Sequence, residues 1–434
     1  MLDMVRKRSV VGTGIVLLLF VALASSPSGA QQQEKIRLHY FTWAGGAAAD
    51  YIREDFIEPF QELNPHIEIY YEAVSFGQFF DKLVTYHLAG TPPDLMHMSV
   101  GYVNEYAANG MLLNLQPLFE RDLNPDDFFL EPMKAVRYPS MEDGDLYAIP
   151  FAFVLTSLYY NKGLFDDAGL MYPDDDFTWE DVRTYGRTLT RDRDGDGVMD
   201  QWGFFSTRNY TLLDPVIHAF GGRILDDDYN VVVTSPEAVA GAQFLVDLIH
   251  QDRVAPHPNL GFNQTVLFQQ GKLAMSVALT NNIHEYRQVG DTLDWDVALM
   301  PIGPAGRVVR LWPDSFAISA QSPNVEAAWE YIKFVITQDK LDRYSGERKV
   351  PIYKPLATSA EWLELDKVPN KMKFIEAIPY GHPLEFRPNW GEWDGQRSLL
   401  NPAWYGEMPV EQALANWGQA IENAVRPFRE QMQK

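Results

Sequence analysis

Residues Leu146 to Phe204 read LYAIPFAFVLTSLYYNKGLFDDAGLMYPDDDFTWEDVRTYGRTLTRDRDGDGVMDQWGF. The stretch opens with an apolar run that ends in Tyr159-Tyr160-Asn161-Lys162. A short amphipathic segment follows. Thr178-Trp179-Glu180-Asp181 then has the form of a capping box, in which the Thr hydroxyl accepts from the third backbone N–H and the Asp reaches back. Val182, Tyr185 and Leu189 recur at helical spacing after it. Asp192 to Asp200 closes the stretch as an Asp/Gly loop.

The segments before it alternate in the same way. Ile36, Leu38 and Tyr40 alternate as in a strand. Gly45-Gly46 breaks that run, and Ile52, Phe56, Phe60 and Leu63 return at helical spacing. Pro59 lies inside this helix and is expected to kink it. Asn64-Pro65 stops it, and Ile67 to Tyr71 reads as a second strand. This is a βαβ unit, which implies a parallel pair and a right-handed crossover. A helix around Phe79 to Leu88 leads to a third strand at Pro93 to Met98. Strands are also expected at Leu273 to Leu279, Trp295 to Met300 and Asp314 to Ser319. Helices are expected at Ala238 to Ile249 and Asn324 to Thr337, and the chain from Trp362 on reads as mostly helical. The pattern is that of open-sheet α/β architecture.

Composition narrows the function. A chain of 434 residues exceeds one ordinary core, so two or three domains are expected. The net charge of −23 argues against a nucleic-acid partner, which needs a clustered positive field. There is no cysteine, which excludes disulfides, thiolate catalysis and Cys-ligated zinc. Arg6, Lys7 and Arg8 precede the apolar run Val10 to Leu23, and Ser28-Gly29-Ala30 supplies small residues at a cleavage point. Residues 1–30 therefore read as a secretory signal peptide cleaved near Ala30. With no lipid-anchor Cys at that point, the mature chain is expected to be free in the periplasm. No later stretch is apolar enough to cross a bilayer.

The block 146–204 resembles the middle of extracellular solute-binding protein family 1, the ligand-capturing subunit of ABC-type importers. Pro93-Asp94-Leu95-Met96, Gly271-Lys272-Leu273-Ala274-Met275 and Ser315-Phe316-Ala317-Ile318-Ser319 extend the resemblance from Ile36 to about Ala424. It implies two open-sheet α/β lobes of the periplasmic-binding-protein type II kind, joined by a hinge of several crossings, with a ligand cleft between them. Lobe 1 would comprise 31–152 and 313–355, and lobe 2 153–312 and 356–434. The crossings would fall near Pro150 to Thr156, Pro301 to Pro313 and Pro351 to Leu363. The function implied is capture of a sugar or oligosaccharide, the family's usual cargo, and delivery to a membrane permease, by a monomer that is not itself an enzyme.

Open sheets bind ligands beyond the carboxyl ends of their strands. Trp43, Gln78 and Tyr102 lie in or near the loops after the first three strands. A sugar needs flat aromatic faces and polar forks. Trp43 either offers such a face or closes the end of the sheet, and Tyr102 has the same two readings. Arg208 and Asn209 end a strand-like run, which in relatives faces the cleft; they fork onto hydroxyls or a carboxylate, or form an exposed turn. Asn281, after the strand at 274–279, and Trp312 with Asp314, at a crossing, complete the polar and aromatic set. Asp314 has a backbone-capping alternative. Relatives carry a sugar-stacking aromatic near Arg387-Pro388-Asn389-Trp390, and Trp390 is preferred here over Trp393.

The loop Asp192 to Asp200 has EF-hand spacing. Asp192, Asp194, Asp196 and Asp200 fall at positions one, three, five and nine, and the Val198 carbonyl at seven. Position twelve is Gly203, not a carboxylate. The loop is either a weak structural calcium site away from the cleft or a plain turn of Asp and Gly. Two other functions compete with transport. A secreted glycosidase would need two carboxylates flanking the scissile bond, and no motif singles out a pair. A surface adhesion module would need no hinge.

Overall fold

The computed structural model describes residues 35–341, 344, 349–365, 368–383 and 389–432. The expected signal peptide at 1–30 and Arg387 lie outside the described residues.

Alternating apolar residues make β1 (Ile36–Thr42), with Leu38 and Tyr40 wholly buried. It runs parallel to β2 (Ile67–Ala73), in register from Ile36 opposite Ile67 to Thr42 opposite Ala73. It is also parallel to β3 (Leu95–Ser99). The helical crossover between β1 and β2 contains a π-helical turn, Arg53–Ile57, immediately before the segment Glu58–Leu63. Pro59 has no N–H for the regular ladder, and the Glu58 N–H closes a wider turn onto the Arg53 carbonyl. This irregular turn lies immediately before the position where the kink is expected.

β4 (Ile149–Asn161) is buried at every position. Its first half pairs antiparallel with β7 (Val309–Ile318), from Phe316 opposite Ile149 to Leu311 opposite Leu155. Its second half pairs with β5 (Met275–Leu279), from Thr156 opposite Leu279 to Tyr160 opposite Met275, and with β6 (Trp295–Ala298). One strand thus changes partners between Leu155 and Thr156. β7 returns through the same level and pairs onward with β3, Asp314 opposite Ser99. A β-bulge lies between Asp314 and Ser315. Short strands β8 (Val350–Pro351) and β9 (Gly381–Pro383) edge β4 and β7. The order along the main path is β8-β4-β7-β3-β1-β2. The chain folds as two open-sheet α/β lobes joined by crossing strands.

The helices cover the sheets where periodicity placed them, at Phe76–Leu88, Pro236–His250 and Val325–Ile336. The capping box forms: Thr178 Oγ1 accepts from the Asp181 N–H at 3.1 Å, and the Thr178 N–H donates to the Asp181 carboxylate at 2.9 Å. One expectation fails. Residues 204–210 are not the end of a strand; only Gln201 and Trp202 form isolated bridges. The reason is packing: a Cβ on Gly203 would lie 2.4 Å from the Gly186 backbone, so the chain here lies on the helix Trp179–Leu189 and leaves the sheet direction. No helix among the described residues is long and apolar enough to cross a membrane.

Candidate functional site

The crossing level carries a run of aromatic side chains. Trp312 follows the buried Arg310 at the same face of β7, two residues on, as strand alternation requires. Arg310 lies 4.3 Å from the Trp312 ring and 4.0 Å from the Tyr210 ring, a cation held between two π faces. Its backbone N–H donates to Thr156 Oγ1 at 3.0 Å, where β4 changes partners. Trp312 stacks on Tyr210 at 5.9 Å and meets Trp390 at 5.0 Å.

Trp390 opens the short helix Trp390–Asp394. Asn389 precedes it in the left-handed region, φ 53°, which Asn tolerates better than most residues. The Asn389 amide donates to the Ala424 carbonyl of the helix Val410–Met432 at 2.8 Å and so fixes where the Trp390 ring emerges. That ring faces the start of the helix Val100–Ala108. A Cβ on Gly101 would lie 3.5 Å from it, and one on Gly391 would lie 3.3 Å from the Tyr102 hydroxyl. Tyr102 in turn stacks on Phe80 at 3.5 Å, and Phe80 lies 6.1 Å from Trp43. Burial, aided by Glu105 and Asp81, raises the Tyr102 hydroxyl pKa, so the phenol stays neutral and able to donate. Trp393, by contrast, is fully buried against Trp417.

Trp43, Tyr102, Trp312 and Trp390 are therefore joined in one half-buried run, with Tyr210 and Arg310 added. Those two escaped the sequence reading. Arg310 was signalled only by its two-residue spacing from Trp312, since a lone Arg in a strand ordinarily faces solvent. Trp43 also packs on Phe79, Phe76 and His97, so its ring closes the sheet end as well as joining the run.

Several polar atoms near this level are buried and have no hydrogen-bond partner among the described residues. They include Trp390 Nε1, Thr280 Oγ1 and Asn281 Oδ1. Thr280 and Asn281 stand directly after β5, whose last residue, Leu279, faces Thr156. Buried polar atoms are ordinarily satisfied, so such a group marks a place for ligand or water. The remaining candidates lie elsewhere or are engaged. Gln78 is exposed and accepts from Ser75 Oγ at 2.9 Å. Asp314 is ion-paired with Lys349, which takes the place of the backbone cap. Asn209 is exposed in a turn. Arg208 lines a separate cavity beside Trp404.

In the Asp/Gly loop, carboxylate oxygens of Asp192, Asp194 and Asp200 come within 4.8 Å of one another. Asp192 accepts from the N–H groups of Gly195 and Gly197 at 2.7 and 2.8 Å. These backbone donors, Gly197 first, hold its carboxyl below the usual range. Asp196 turns instead to the Val198 N–H at 2.8 Å. Position twelve is Gly203, where the contact with Gly186 leaves no room for a side chain.

Residues 44–340 match the family described as bacterial extracellular solute-binding protein. Among curated relatives, a putative binding protein of Brucella abortus is 26% identical over 308 residues, 69% of this chain and 72% of its own. The galactooligosaccharide-binding protein of Bacillus subtilis is 25% identical over 353 residues, 77% of each chain. Among solved structures, an ABC substrate-binding protein from Listeria monocytogenes in complex with cycloalternan superposes with a TM-score of 0.72. It is 24% identical and the match covers 90% of this chain and 98% of that one.

Proposed function

The chain belongs to the bacterial extracellular solute-binding proteins, an exported family of binding proteins, and we propose that within it this chain is the substrate-binding subunit of an ABC importer for a sugar or oligosaccharide. The observation that carries the reading is the aromatic run Trp43, Tyr102, Trp390, Trp312 and Tyr210 at the level where the strands cross, with buried polar atoms beside it. Aromatic faces take the C–H side of a sugar ring, and the polar atoms take its hydroxyls. Relatives named for galactooligosaccharide binding and a fold neighbour holding cycloalternan support that class of cargo. Lobes divided as 31–152 with 313–355, and 153–312 with 356–434, would close over the ligand and present it to a permease. The mature monomer would work in the periplasm after cleavage near Ala30.

Native mass spectrometry of freshly purified chain tests the reading by detecting a retained sugar, and a tryptophan-fluorescence panel then ranks candidate sugars. The sugar must also be recovered intact after long incubation. Hydrolysis of an added oligosaccharide, or silence across the panel, would overturn the proposal.

We also propose that the Asp192–Asp200 loop holds a structural calcium ion through Asp192, Asp194 and Asp200. The oxygen donors suit a hard cation. Asp196 and the Val198 carbonyl would complete the shell only after the Asp196 carboxylate leaves the Val198 N–H.

A further inference from the structure

A second opening lies off the aromatic run, between the segment 205–208, the turn at 256–258 and the helix Asn401–Trp404. Its volume is about 190 Å³. Arg208, His257, Asn401, Trp404, Tyr405 and Phe262 line it, and no carboxylate stands among the described residues that do so. That is notable in a chain with 59 acidic and 36 basic residues.

The donors in its wall are directed by the surrounding bonds. Arg208 Nε is buried with no hydrogen-bond partner among the described residues, and so is Trp404 Nε1. The Asn259 N–H donates to His257 Nδ1 at 3.1 Å. A neutral His257 then carries its proton on Nε2, where it is a donor. The neighbouring Arg397 is neutralised by Asp214 and Asp394 at 2.9 and 2.5 Å, and Arg208 has no such ion pair among the described residues. Burial lowers the Arg208 pKa, as it does for a cation without a counter-charge.

We infer that this cavity is a binding site for the oxyanion group, carboxylate or phosphate, of a small solute. Arg208 supplies the charge, and the Trp404 and His257 N–H groups supply further donors. A volume of this size admits a single acid group and part of its carrier rather than an oligosaccharide. The inference stands on the cavity and does not rest on the transport reading. Failure of neutral sugars to bind the aromatic run would leave it intact.

The test uses the purified chain with D-glucuronate, inorganic phosphate and D-glucose as probes, followed by isothermal titration and by tryptophan emission. At least one oxyanion should bind, and saturating glucose should not displace it. Arg208→Gln should weaken that binding at least about tenfold, the loss of a charge-assisted bond. Trp404→Phe, which keeps the ring and removes the N–H, should weaken it by about threefold or more. Melting curves verify that each variant is folded, and the Phe variant still decides the matter if the Gln variant is not. Binding of phosphate alone would assign a phosphoryl carrier, and binding of glucuronate alone a sugar acid. The inference is overturned if neither oxyanion binds, if saturating glucose displaces the bound oxyanion, or if both variants retain affinity within about twofold of the parent.

Discussion

Trp390 and Trp393 lie one helical turn apart and have different tasks. Trp393 is fully buried and its carbonyl accepts from Trp417 Nε1 at 3.3 Å, so it belongs to the core. Trp390 is half-buried with its indole N–H unclaimed among the described residues. Trp390→Ala should therefore weaken sugar binding by about 2 kcal/mol, some thirtyfold, while leaving the melting temperature nearly unchanged. Titration calorimetry and a melting curve measure the two effects. Trp43→Ala should instead lower stability by about 2–3 kcal/mol, because that ring touches Phe76, Phe79 and His97. His97 adds a pH dependence. It is bonded to Tyr40 and Thr42 at 2.9 and 2.7 Å, and burial, with Lys349 nearby, pushes it down from 6.5 to about 3. The unfolded chain takes up this proton below about pH 6.5 and the folded one does not, so stability falls as pH drops from there toward 3. At about pH 4.5 the cost is of order 3 kcal/mol. Urea unfolding across that window should show a shallower pH slope for His97→Gln; an unchanged slope would mean that other groups set it. The aromatic candidates were legible because a ring in a loop after a strand is conspicuous. Arg310 was not, because burial between two rings overrides the solvent preference on which a sequence reading relies.

The helix Trp179–Leu189 shows how local signals and packing divide the work. Its start was legible, since the Thr178–Asp181 box is a purely local device. Thr178→Ala should cost about 1 kcal/mol in chemical denaturation. Its other face is decided by contact with a distant residue. Gly203 approaches Gly186 so closely that any Cβ would meet backbone. That contact turned an expected strand into irregular chain, and no window of sequence around residue 203 contains it. It also explains the Asp/Gly loop. An EF-hand wants a bidentate carboxylate at position twelve, but the helix contact requires glycine there. Any calcium affinity should then be of the weak extracellular kind. Millimolar calcium should raise the melting temperature of calcium-depleted chain by about 1–2 °C, and Asp192→Asn should abolish the rise. An unchanged melting temperature in the parent would make the loop a turn and nothing more.

At the scale of the molecule, the parallel units were legible and the exchange of partners was not. The βαβ pattern of β1 and β2 announces a parallel pair through its alternation and crossover length. β4 is buried at every position, so it has no two-residue period, and nothing along it shows where one set of neighbours gives way to another. The exchange at Leu155 and Thr156 depends on β5 and β7, more than a hundred residues away. It matters because a strand shared by both expected lobes would let them rotate without separating, and the ligand would then bias an existing equilibrium by touching both. A cavity of about 640 Å³ is lined by Ser140 and Glu142, within the expected lobe 1, and by Arg223 and Asp227, within the expected lobe 2. The chain contains no cysteine, so spin labels can be placed at Ser140→Cys and Asp227→Cys without background. Both positions are exposed, which spares the core. Saturation with the sugar found by native mass spectrometry should shift the distance distribution between the labels toward one narrower population. Trp390→Ala should require more sugar for the same shift, because it weakens the grip and leaves the strands intact. A distribution that sugar leaves untouched would mean a rigid body, and a binding protein of this kind would then have to signal to its permease by some means other than closure.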